Sequence, residues 1–230
     1  MTNISDTGDQ ILAWVRLRIS GEDAKAYLQG QITQDVGLAA QGAWTYILQP
    51  DSTVLSVGWL SSDGSDLLLD VSDESFEEVL GRLKRFILRS RVQVSAESCT
   101  SPVLKNYREA FEMNYPVHLP VGDFTPHSFG QDWITRGVCF TKGCYTGQEL
   151  VGRLDARQAP VPFRIVRLKA DSLDSIEELV HQGSQKDKQS VLWGFNNGDE
   201  YKAVAILHRT CLTPEFLGSH PLVELLDIKP

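Results

Sequence analysis

The chain has 230 residues, enough for one large domain or two small ones. Its 22 basic and 30 acidic side chains leave a net charge of −8, which argues against sequence-independent nucleic-acid binding as the main role. No apolar run approaches the length of a bilayer span, and the polar start MTNISDTGDQ carries neither a secretory nor a transit pattern, so a cytoplasmic protein is the default expectation.

Residues 11–19 set Val15, Leu17 and Ile19 against Arg16 and Arg18, the period of a half-buried strand. Gly21-Glu22-Asp23 opens a short helix through Leu28. Tyr46–Leu48, Thr53–Leu60 and Asp66–Val71 read as strands of an antiparallel sheet, with turns at Gln49-Pro50-Asp51 and Ser62-Asp63-Gly64. Ser72 or Asp73 is placed to cap a helix over 75–88, with Phe76, Val79, Leu80, Leu83 and Ile87 as its apolar face. A strand at Val92–Val94, a loop over 95–103 and a helix over 105–112 follow. Residues 114–131 read as an irregular connection rich in Pro, Gly and His. Val138-Cys139-Phe140 reads as a strand end, with a helix after it. Pro160-Val161-Pro162 marks the boundary between a region 1–160 and a C-terminal region 161–230. Beyond it, Phe163–Leu168, Ser190–Phe195 and Ala203–Arg209 read as strands, with a polar linker at 182–190. Strands and helices in runs rather than strict alternation predict an α+β fold.

The chemistry concentrates in Lys142-Gly143-Cys144-Tyr145-Thr146-Gly147-Gln148-Glu149. Thr146 with Glu149 matches a capping box, and Arg153 stands one turn after Glu149. That places Cys144 just before a helix start with Lys142 nearby, two features that favour a thiolate. A small buried apolar cysteine is the plainer alternative. The four cysteines, Cys99, Cys139, Cys144 and Cys211, show no metal-ligand spacing, and five scattered histidines form no pair at helical spacing.

The string KGCYTGQE resembles the signature of the YgfZ family, folate-binding relatives of the glycine-cleavage T-protein. Three further segments are similar to family patterns: Ser20–Ala24 with Tyr27–Val36, Leu83–Val92, and Arg108-Glu109-Ala110 through Pro116. The resemblance implies ferredoxin-like antiparallel α+β units, a C-terminal β-barrel-like module and a central folate channel. It makes Cys144 the functional thiol, with Lys142 beside it. It places tetrahydrofolate near Trp14, Gln31 and Asp70, together with Tyr145, Gln148, Glu149 and Arg153. For Asp70 the residues alone favour a surface aspartate leading a helix, and for Trp14 a core position stands equally open. The resemblance also implies iron–sulfur client proteins, a transient cluster contact through Cys144, and effects on tRNA modification without direct nucleic-acid or membrane binding. Lys84, Arg85, Arg89 and Arg91, with Arg82, form a basic cluster suited to a polyglutamate tail or phosphates, or simply a solvated helix face.

Two departures stand out. The segment between Val94 and Asn106 is much shorter than in the family, and Pro50-Asp51-Ser52-Thr53 lacks the basic residue that usually follows this proline. They keep open a folate-free assembly protein that retains only the cysteine motif. A one-carbon (aminomethyl) transferase and a cysteine hydrolase using His118 or His127 are the remaining alternatives.

Overall fold

The computed structural model describes residues 3–5, 8–100, 102–120, 123–182, 186–220 and 223–225. In chain order its elements are β1 (Asn3–Ser5), β2 (Trp14–Ser20), α1 (Ala24–Gln29), β3 (Ala43–Leu48), β4 (Val54–Asp63), β5 (Asp66–Ser72), α2 (Asp73–Arg85), β6 (Gln93–Ser98), α3 (Tyr107–Glu112), α4 (Gln131–Gly137), α5 (Gln148–Arg157), β7 (Phe163–Ala170), α6 (Leu173–Val180), β8 (Ser190–Asn197), β9 (Glu200–His208), α7 (Pro214–Gly218) and β10 (Val223–Leu225). Two compact units result, one of residues 13–103 and 120–159, the other of 1–12, 104–119 and 160–230. The chain therefore changes units at Pro160, but also at three earlier points. Residues 1–12 and 104–119 share a unit with the C-terminal strands because β1 pairs with β8 and α3 packs by β9.

The first unit holds a five-stranded sheet in the order β3-β4-β5-β2-β6, with every neighbour antiparallel. Strand alternation sorts its side chains. Leu17, Ile19, Ile47, Leu60, Leu67, Leu69 and Val71 share one core with Leu28 of α1 and with Val79 and Leu83 of α2. The opposite face carries Trp14, Arg16, Trp44, Tyr46, Trp59 and Asp70, and α4 packs against β3 there. α2 begins one residue past Ser72, with Asp73 and Glu74 in its first turn and Arg82, Lys84 and Arg85 in its last, the charge order that suits the helix dipole.

The second unit has the sheet order β1-β8-β9-β7-β10, antiparallel except for the β1–β8 pair. Val166, Leu168, Ala203, Ala205 and Leu207 on one face pack with Ile176, Leu179 and Val180 of α6. Trp193 and Phe195 pack instead against Phe111 of α3. The order leaves β1 and β10 as two edges.

The fold class is α+β, as the sequence predicts. Three local readings are corrected. The apolar triplet Val138-Cys139-Phe140 is not a strand end; it follows α4, whose Trp133, Ile134 and Gly137 are buried. Residues 95–98, expected to begin a loop, belong to β6 and pair with β2. The stretch after β7, to which the sequence reading assigns no element, holds α6, which Ser172 caps by accepting from the Ser175 amide at 3.3 Å.

Candidate functional site

The signature segment is held by its neighbours rather than by its own helix. Lys142 is buried, and its Nζ donates to the main-chain oxygens of Ile32 at 2.8 Å and Gln34 at 2.9 Å. The same nitrogen stands 5.2 Å from the centre of the Tyr145 ring, a cation–π contact. Burial lowers the Lys142 pKa to about 8, against the opposing pull of Asp35 and Cys139. Further bonds tie the two stretches: Cys139 N donates to Thr33 O, Thr33 Oγ1 to Gly137 O, Gln34 Nε2 to Arg136 O, and Thr146 N to Gly30 O.

The capping box is absent. α5 starts at Gln148 behind Gly147, which has φ of 80° and no side-chain cap bond. A Cβ there would meet Gln49 O at 2.8 Å and Leu48 Cβ at 2.9 Å, so both the turn and the close approach require glycine. Glu149 and Arg153 form the expected pair across one turn, but both are exposed, so it is a surface contact. Gln148 is half-buried at the first turn of α5.

Cys144 is exposed. It lies four residues before α5, beyond the first turn over which a helix dipole acts, and the Lys142 ammonium is engaged by carbonyls. The two expected thiolate-stabilising features are therefore placed elsewhere. No hydrogen bond reaches its sulfur among the described residues, so neither His118 nor His127 is paired with it as a base. Tyr145 is buried, and burial raises its hydroxyl to about 12.

Trp14 and Asp70 meet on the second face of the first sheet. Trp14 is buried, 6.5 Å from Trp44, which in turn makes edge contacts with Trp59 at 5.2 Å and Trp133 at 5.3 Å. Each such contact contributes roughly 0.5–1.5 kcal/mol beyond area burial. Asp70 is not a surface aspartate. It lies inside β5, 1% exposed, and accepts Arg16 Nε at 2.6 Å and Nη2 at 2.7 Å. Register explains this: Trp44 faces Trp59, Trp59 faces Asp70, and Asp70 faces Arg16. The bidentate bond raises the Arg16 pKa above its ordinary value. Gln31 accepts from Arg82 Nη1 at 2.8 Å, and Asp35 caps the 3-10 turn Val36–Leu38 by accepting from Gly37 N at 2.7 Å. Arg82 is buried and donates to Leu48 O, so it is no part of an exposed basic cluster.

The structure thus groups Lys142, Tyr145 and Cys144 on one turn, and Trp14 with Asp70 on one sheet face. Sequence reading missed Arg16, Trp44, Trp59 and Trp133 as partners. The alternation of β2 puts Trp14 and Arg16 on one face, but cross-strand register is needed to join them to Asp70 and Trp59. The side-chain types on this face, aromatic rings beside a carboxylate, are those that suit a pterin, but Trp14, Trp44 and Asp70 are buried and both Asp70 oxygens already accept from Arg16. A resident iron–sulfur cluster does not fit, because clusters take four thiolates and no group of three or more potential ligands occurs among the described residues.

The fold is similar to that of an aminomethyltransferase. The crystal structure of glycine cleavage system aminomethyltransferase T from Bartonella henselae matches with a TM-score of 0.62, covering 87% of this chain and 78% of that one at 12% identity. No family model matches the sequence. In sequence the chain is similar to the tRNA-modifying protein YgfZ of Photorhabdus laumondii, at 24% identity over 64% of this chain and 66% of that protein. It is also similar to an uncharacterized protein of Haemophilus influenzae, at 26% identity over 62% and 66%. The chain therefore spans just under two thirds of the curated relatives it matches. It is YgfZ-like in sequence and aminomethyltransferase-like in fold. No helix among the described residues is long and apolar enough to cross a membrane.

Proposed function

We propose that the chain is a tetrahydrofolate-binding accessory protein that supports iron–sulfur enzymes and, through them, tRNA modification, with Cys144 as its working thiol. The observation that carries this reading is the exposed Cys144 on a turn clamped by the buried Lys142. An exposed sulfur with no hydrogen bond among the described residues contributes little to packing, whereas the buried bonds around it fix its place. The fold likeness to an aminomethyltransferase supports a folate ligand. Tetrahydrofolate, when bound, supplies a carrier for one-carbon units. Trp14 and its aromatic neighbours would stack on the pterin, and Asp70 would accept from its ring nitrogens. An iron–sulfur species would be met as cargo, through a single cysteine.

One observation favours a second reading. Asp70 is closed by a bidentate arginine, which suits structure better than the free carboxylate that aminomethyl transfer needs. A folate-free assembly protein is therefore preferred over a transferase as the alternative.

Complementation of a strain lacking the native gene, read as activity of an iron–sulfur enzyme, tests the thiol. Cys144→Ala is expected to abolish complementation while shifting stability by less than about 0.5 kcal/mol, as for exposed sites. Full complementation by the variant, or its unfolding, would overturn the assignment.

A further inference from the structure

We propose that the turn Phe86–Arg89, with Lys84 and Arg85, is a docking site for a partner protein, one that offers an acidic segment with an apolar side chain. The turn follows α2 and is anchored from below. Ile87 packs on the core of the first unit, and the Arg82 guanidinium lies 5.1 Å from the centre of the Phe86 ring. Leu88 is left outside, 73% exposed, with Phe86 37% exposed beside it. Arg89 holds φ of 60°, a left-handed conformation that disfavours an arginine and would suit glycine. The anchoring of the turn needs neither the exposure of Leu88 nor an arginine at that φ. Strain of this kind persists where the conformation is used.

Charge selects the partner. The protein as a whole carries −8, yet Lys84, Arg85 and Arg89 are exposed and make no ion pair among the described residues. Arg91 is different: it is engaged by Glu22 at 2.5 Å and Asp23 at 3.6 Å. Three free cations around an apolar knob complement carboxylates around an apolar side chain. A phosphate backbone would use the cations but leave Leu88 without a role. Base stacking is also poorly served, because one face of Phe86 is taken by Arg82. Two apolar side chains are too small an area for a membrane surface, which takes a long amphipathic face.

The test uses the full chain and a fluorescent peptide of alternating glutamate and leucine. Competitors are polyglutamate, an RNA hairpin and phosphatidylserine vesicles. Binding is expected to weaken at least about tenfold in Leu88→Ser and, separately, in Lys84→Glu/Arg85→Glu. Leu88→Ser should keep the wild-type melting temperature, because Leu88 is exposed and outside α2. Lys84→Glu/Arg85→Glu reverses two charges in the last turn of α2 and should melt lower but stay folded, so Lys84→Gln/Arg85→Gln is measured beside it and should also weaken binding. Polyglutamate should compete at least about tenfold less well than the alternating peptide. Absence of peptide binding would overturn the proposal. So would RNA or vesicles binding more tightly than the peptide with no effect of Leu88→Ser, or a concentration-dependent dimer lost in Leu88→Ser.

Discussion

Lys142 is the residue on which the signature turn depends. Its nitrogen reaches two carbonyls of the Ile32–Gln34 stretch from inside the protein, and a neutral amine has the two hydrogens those bonds need. A buried ammonium with no carboxylate bond is costly, hence its lowering to about 8. Folded pKa below unfolded pKa means that the unfolded chain holds more protons between about pH 8 and 10.5. Stability should therefore rise with pH across that window, by up to roughly 3 kcal/mol. Above pH 10 the buried tyrosines act in the opposite direction, since Tyr27 and Tyr145 are raised to about 12 and the unfolded chain loses their protons first. Urea melts of wild type and Lys142→Met between pH 7.5 and 9.5 check this. The rise is expected in wild type and absent in the variant; equal slopes would contradict the assignment. From sequence, Lys142 reads as a charge beside a thiol. Nothing in local spacing says that it points inward, because the carbonyls it meets lie more than a hundred positions away in the chain.

At the scale of elements, the sheet of the first unit was legible and its second face was not. Alternation along β2 and apolar runs in β4 and β5 place the strands to within a few residues, because burial on one face imposes a period of two. α4 was missed because its stripe of Trp133, Ile134 and Gly137 is only two turns long, too short to show a helical period. α6 escaped for the same reason, despite its serine cap. The pairing of Arg16 with Asp70 needs the register of two strands 54 positions apart. Being largely buried, it behaves as a unit. Arg16→Met is expected to destabilise by about 3–5 kcal/mol, because it strands the Asp70 carboxylate. The double variant Arg16→Met/Asp70→Leu should recover most of that loss in chemical denaturation. If the single variant lost under about 1 kcal/mol, the pair would be too solvated to define this face.

Over the whole molecule, the segment 104–119 is the least obvious piece. It lies between two stretches of the first unit in sequence yet belongs to the second, together with residues 1–12. A proline pair at 160–162 marks one crossing point, but nothing in composition marks the others. Four of the five tryptophans, Trp14, Trp44, Trp59 and Trp133, lie in the first unit, and Trp193 alone lies in the second. Intrinsic fluorescence therefore reports chiefly on the face proposed to meet a pterin. The most direct measurement is calorimetric titration of the purified chain with tetrahydrofolate, followed in parallel by tryptophan quenching. Trp14→Leu serves as control, with its melting curve recorded alongside. Saturable binding with quenching, lost in a folded Trp14→Leu protein, is the predicted result. Absence of heat and of quenching in the wild type would contradict folate binding and leave Cys144 as the working part of a folate-free assembly protein.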